Sequence, residues 1–125
     1  MPRLLTWNVH RCVGTDGACA PERVAKVIAD LNPDIVCLQE LDVRRARTGG
    51  VDQAAEIGRL LGMAHHFHPA FRVMNEAYGD AILTALPSKL VKGDALPRTG
   101  ALSKLEPRGA VWACVHVTGV DVQVF

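Results

Sequence analysis

The segment Ile35-Val36-Cys37-Leu38 is apolar at every position, and it follows an alternating strand and an amphipathic helix. A short continuous apolar run suits a strand covered on both faces. Upstream, Leu4 to Val9 alternates, with Leu5, Trp7 and Val9 pointing one way and Leu4, Thr6 and Asn8 the other. Between the two, Pro21 opens a helix at a position where a missing N–H costs nothing. Val24, Val27, Ile28 and Leu31 recur at i, i+3, i+4, i+7 as an apolar stripe, and Asn32-Pro33 stops the helix. This order predicts a parallel strand pair joined by a crossover helix, hence an α/β fold. Asn8 and Gln39-Glu40 then stand at the C-terminal ends of neighbouring strands, the edge where α/β sheets usually hold ligands.

The following stretch, Asp42 to Gly50, reads as a loop carrying Arg44, Arg45 and Arg47. A second helix is expected over Val51 to Leu61, with Ala54, Ile57, Leu60 and Leu61 inward, Asp52 as an N-terminal cap and Gly62 as the stop. The remainder reads as β structure: His65 to Phe71, Tyr78 to Thr84, Lys89 to Ala95 and Gly109 to Val117. Val117-Thr118-Gly119-Val120 has the look of a tight hairpin turn into a last strand, Val120 to Phe125.

A length of 125 residues predicts one domain, and 49% hydrophobic residues suffice for a real core. The net charge of +1 gives no global pull toward nucleic acid or acidic membranes. The N-terminus lacks the pattern of a secretory signal, and no stretch approaches the roughly 18 apolar residues of a membrane span. Cys12, Cys19, Cys37 and Cys114 form no C-x-x-C pair, which argues against structural zinc. Cys37 and Cys114 sit in apolar runs, as buried reduced thiols do. A cytoplasmic protein is expected.

Two residues stand out chemically. Asn8 ends a strand, where it either turns the chain through a backbone bond or joins a site. Glu40 lies at the mouth of a core strand, where a carboxylate is rare unless it is paired or binds metal. It could pair with a nearby arginine, or it could serve as a hard-oxygen ligand for magnesium. The two could converge across neighbouring strands. His10, Arg11 and Asp16 follow the first strand, and His10 could either touch phosphate or be a solvated loop residue. Arg44, Arg45 and Arg47 could grip an anion or simply be solvated. Arg108 could reach substrate or pair with Glu106. His65, His66 and His68 cluster without a carboxylate partner, a weak metal signal.

Leu5-Thr6-Trp7-Asn8-Val9-His10, followed by Pro33-Asp34-Ile35-Val36-Cys37-Leu38-Gln39-Glu40, resembles the opening of the endonuclease/exonuclease/phosphatase (deoxyribonuclease I-like) family. Tyr78-Gly79-Asp80-Ala81-Ile82-Leu83-Thr84 with Leu86-Pro87, and Glu106-Pro107-Arg108-Gly109-Ala110-Val111-Trp112, fit it too, so the resemblance runs through essentially the whole chain. It implies a four-layer α/β sandwich, of which residues 1–125 would be the N-terminal part of a single domain. That part is half the sandwich: a mixed sheet with helices on one face. It further implies metal-assisted hydrolysis of a phosphodiester or phosphomonoester, with Glu40 on magnesium or manganese and Asn8 supporting it. His10, Arg44, Arg45 and Arg108 become candidates for substrate contact. Nucleic acid, phospholipid and inositol phosphate all remain open as substrates.

The family's Asn-Thr-His, Gly-Asp-x-Asn and Ser-Asp-His segments are not found in this sequence. No catalytic set is therefore complete, and a C-terminally truncated, inactive fragment is expected. The terminal Val122-Gln123-Val124-Phe125 looks like an unfinished strand. Half a sandwich would leave an apolar sheet face open, so a homo-oligomer covering it is expected. The alternative is an enzyme completed by another chain.

Overall fold

The computed structural model describes residues 1–100 and 106–125. The expected parallel pair is present: β1 (Leu4–Asn8) lies beside β2 (Ile35–Val43), with Asn8 opposite Gln39, and α1 (Pro21–Leu31) crosses between them. β3 (Ala64–Val73) and β4 (Glu76–Thr84) form a hairpin that completes a mixed sheet of order β1-β2-β4-β3. β5 (Ser88–Ala95), β6 (Gly109–Val117) and β7 (Val120–Val124) make a separate antiparallel sheet. The expected turn joins β6 to β7: Thr118 (φ 45°) and Gly119 (φ 84°) are both left-handed, which matches the twist of a two-residue hairpin.

α1 and α2 (Gln53–Leu61) cover one face of the mixed sheet. Val24, Ala25 and Ile28 meet Val36, Leu38 and Leu41 of β2, Ala81 and Leu83 of β4, and Ala54 and Ile57 of α2. Each fully buried Leu or Ile here stabilises the fold by about 1.5–3 kcal/mol relative to exposure. The inward stripe of α1 is narrower than expected, since Val27 and Leu31 are each 44% exposed. Two helices side by side on a small sheet leave the outer flank of each uncovered, and Leu60 of α2 is half-exposed for the same reason. α2 begins at Gln53 rather than Val51, and its cap and stop are as expected: Asp52 Oδ1 accepts the Ala55 N–H at 3.0 Å, and Gly62 ends the helix at φ 65°.

The other face of the mixed sheet is not open. The second sheet folds over it, and Ile35 and Ile82 pack against Val111, Ala113, Val115, Val117 and Val124. Exposure falls instead at the edge strands, where Leu4 is 59%, Val120 61% and Phe125 77% exposed. β2 also runs past the expected limit at Leu38 to Val43, because the chain resumes pairing with β4 after an irregularity at Gln39-Glu40. Among the described residues, no helix is long and apolar enough to cross a membrane.

Candidate functional site

The irregularity in β2 builds the site. Leu38 pairs with Ala81 and Leu41 with Gly79, so Gln39 and Glu40 together face the single residue Asp80. This is a β-bulge, and Glu40 occupies its left-handed position at φ 63°. A residue with a Cβ there costs about 1–3 kcal/mol, and such strain survives only where surroundings hold it. The Glu40 N–H is held by Asp80 Oδ1 at 3.3 Å. The bulge lifts Glu40 out of the strand's alternation and turns its carboxylate to the rim between the two sheets.

Asn8 brings the end of β1 to the same point. Its Oδ1 accepts the His10 N–H at 3.0 Å, the local turn bond, and its register partner across the strands is Gln39, the residue before Glu40. Arg108, the residue just before β6, reaches Glu40 Oε1 at 3.4 Å. Burial disfavours the Glu40 charge, but Asn8, Arg108 and His10 together outweigh it, so the carboxyl titrates below the usual glutamate range. Glu40, not Glu106, is the ion-pair partner found for Arg108.

Around this pair lie groups whose partners were not evident from the sequence. Burial, with the Glu106 and Glu40 charges, pushes the Tyr78 hydroxyl up to about 12 despite the nearby Arg108 guanidinium. Asp80 is half-buried, and desolvation raises its carboxyl above the ordinary value despite the Glu40 N–H. Asp42, fully buried, is held by Arg47 through two 2.7 Å hydrogen bonds, and Arg47 also lies over the Tyr78 ring at 5.5 Å. Gln53, also fully buried, ties Asp42 to the loop after β1. No local pattern marks Asp42 or Gln53 as buried.

The remaining candidates separate. His10 belongs to a left-handed turn beside Glu40, and its Nε2 lies 3.3 Å from Arg11 Nη2. Arg44 is exposed, at φ 58°, with its N–H on the Val51 carbonyl. Arg45 turns to the β3–β4 hairpin, pairing with Glu76 at 3.0 Å and lying over Phe71. Asp16 pairs with Arg23 at 2.8 Å. The histidines of β3 are dispersed: His66 Nε2 lies 2.8 Å from Ser88 Oγ, and His68 packs over Gly93 and Gly109. Among the described residues, no three His, Cys, Asp or Glu side chains converge as a metal cage. The site as it stands offers one ionised carboxylate beside an amide, with a guanidinium opposite. It can engage a hard cation and an anion side by side.

The fold has counterparts among solved structures. The endonuclease/exonuclease/phosphatase from Beutenbergia cavernae superposes with a TM-score of 0.73 at 22% identity, over 98% of this chain and 36% of that one. A family protein from Leptotrichia buccalis gives 0.72 at 16% identity, over 98% and 53%. The human Nocturnin catalytic domain with bound sulfate gives 0.60 at 21% identity, over 98% and 46%. These likenesses establish the fold, and the chain spans between 36% and 53% of the length of these relatives. No curated protein matches the sequence at a significant level. The family model described as Endonuclease/Exonuclease/phosphatase family matches residues 5–119, and the chain therefore belongs to that family.

Proposed function

We propose that residues 1–125 are the N-terminal part of a divalent-metal-dependent phosphoesterase domain, with Glu40 binding magnesium or manganese and Asn8 orienting that carboxylate. The observation that carries the proposal is the bulge at Gln39-Glu40 in β2, beside the end of β1 where Asn8 pairs with Gln39. The donor set fits such an ion. Magnesium takes oxygen ligands and typically uses one or two carboxylates, with waters and substrate phosphate completing its shell. Glu40 keeps 18% of its side-chain surface exposed, enough for access, and its Arg108 contact is long at 3.4 Å. When bound, the metal would supply charge neutralisation at a phosphoryl oxygen.

The chain's own residues would then divide the work. Glu40 holds a negative charge at the rim, Asn8 fixes its orientation, and Arg108 presents a planar guanidinium suited to phosphate oxygens. His10 stands beside them, Arg44 extends from the neighbouring loop, and Arg45 would have to leave Glu76 to take part. A phosphate ester is the substrate class that this mixture of charges suits, whether in nucleic acid, phospholipid or inositol phosphate. Acid–base groups contributed from outside these residues would complete the reaction, so these 125 residues alone are expected to be weakly active or inactive. The four free thiols suit work in the cytoplasm.

A second reading concerns assembly. β1 and β7 are both sheet edges, and the exposed Leu4, Val120 and Phe125 lie on or beside them. Unpaired edges with apolar side chains recruit further strands, so self-association through these edges is part of the proposal. The test is a manganese titration with hydrolysis of bis-p-nitrophenyl phosphate, beside Glu40→Ala, and sedimentation of the same samples. Binding lost in Glu40→Ala supports the metal reading, and no binding to the unmodified chain overturns it. A monomer at all concentrations would overturn the assembly.

A further inference from the structure

Gln53 is 0% exposed, yet every polar atom of its side chain is used. Oε1 accepts the Asp42 N–H at 2.9 Å. Nε2 donates to the Arg11 carbonyl at 2.7 Å and lies 3.5 Å from Cys19 Sγ. Burying an amide costs free energy unless all its partners are supplied, whereas methionine would fill a similar volume without that demand. A purely packing role does not explain why this position is an amide.

Its partners do explain it. Arg11 is the middle of three successive left-handed residues, His10 (φ 46°), Arg11 (φ 57°) and Cys12 (φ 57°). L-residues visit that region singly, so a run of three persists only where the surroundings impose it. Backbone bonds contribute: the Cys12 N–H meets the Val9 carbonyl at 2.9 Å, and the Val13 N–H meets the His10 carbonyl at 3.0 Å. The Arg11 carbonyl takes its short bond, 2.7 Å, from Gln53, and the Cys19 thiol approaches the same oxygen at 3.6 Å. The same turn aims the His10 N–H at Asn8 Oδ1, which fixes the Asn8 side chain at the end of β1, beside the Gln39-Glu40 bulge. On the other side, the Asp42 N–H that Gln53 also holds lies just beyond the Glu40 bulge.

We propose that Gln53 is a positioning residue for the Asn8–Glu40 pair, holding the turn after Asn8 and the strand after Glu40 with the two ends of one amide. It touches neither metal nor substrate. Outer-shell groups of this kind typically change metal affinity by about 10–100-fold when removed. The part of the inference that concerns metal rests on the proposed function, whereas the part that concerns geometry does not.

The experiment uses Gln53→Met, which keeps the volume and removes both bonds. Gln53→Glu keeps the acceptor for Asp42 but, when ionised, has no donor for Arg11. Ile57→Val in the same helix is the control for lost packing. The backbone amide of His10 and the side-chain amide of Asn8 are followed by NMR, and manganese binding by titration. Both resonances should shift in Gln53→Met and Gln53→Glu and stay in place in Ile57→Val. Manganese binding should weaken by at least about tenfold in the two Gln53 variants alone. Unmoved Asn8 and His10 resonances in folded Gln53→Glu would overturn the inference, whatever the metal result. Shifted resonances in a chain that binds no manganese would uphold the positioning role and reject the metal reading. If Gln53→Met does not fold, Gln53→Glu and the control decide alone.

Discussion

The guanidinium of Arg47 donates two 2.7 Å hydrogen bonds to the carboxylate of Asp42, whose side chain is 0% exposed. The Thr48 hydroxyl adds a third at 3.1 Å. Removing one member of such a pair leaves the other charge buried and uncompensated. Arg47→Ala should therefore destabilise the fold by about 3–5 kcal/mol. Asp42→Asn combined with Arg47→Ala should cost less than Arg47→Ala alone. Urea unfolding of the variants checks both statements, and a loss below about 1 kcal/mol for Arg47→Ala would contradict them.

Glu40 carries backbone strain as well as charge. Glycine adopts φ near +63° without a Cβ penalty, and alanine does not. Glu40→Gly should be more stable than Glu40→Ala by about 1 kcal/mol, and both should lose manganese binding. Equal melting temperatures would mean that the bulge relaxes when the carboxylate is removed.

Cys12 should govern stability at alkaline pH. Burial, with smaller contributions from Cys19, Asp42 and Glu22, pushes its thiol from 9.0 up to about 12. The unfolded chain therefore loses this proton first as pH rises. Stability from the buried thiol is complete below about 9 and is lost progressively toward about 12. Unfolding measured from pH 8 to 11 should show this decline, and Cys12→Ala should flatten it. Exposed Cys19 should react with a thiol reagent well before Cys12.

Two glycines should differ in tolerance. A Cβ on Gly79 would collide with the His68 carbonyl and approach Pro69 Cα at 2.9 Å, both backbone atoms of the neighbouring strand. A Cβ on Gly93 would meet the His68 ring, which can turn. Overpacking typically costs about 1–3 kcal/mol, and Gly79→Ala should lie at the upper end and Gly93→Ala at the lower. The reverse order in thermal melts would contradict this.

The elements were legible because their signals are local. Alternation in Leu4 to Val9, the run at Ile35 to Leu38, Asp52 and Gly62 at the ends of α2, and the Thr118-Gly119 turn each follow from neighbouring residues. The register that sets Asn8 opposite Gln39 was legible from the two strands, but that Glu40 lies in a bulge inside β2 rather than at its end was not. The division into two sheets was not, because it depends on which strands pair across long separations. Nor were the Asp42–Arg47 pair and the Gln53 bonds, since a polar residue looks alike in sequence whether it is solvated or enclosed. Val27 and Leu31 show the converse, as helical periodicity names a side but not how wide a neighbour covers it.

The extra residue in β2 also bears on how fold and chemistry are joined. Before it, even-numbered Val36 and Leu38 face the helices; after it, odd-numbered Leu41 does. The parity of the strand changes across Gln39-Glu40. Deleting one of those two residues would restore unbroken parity and keep Leu38 and Leu41 on the same side. The sheet could then persist as a plain ladder, with no carboxylate turned to its rim. At this point the difference between a plain ladder and the proposed metal-binding rim is one residue of chain length.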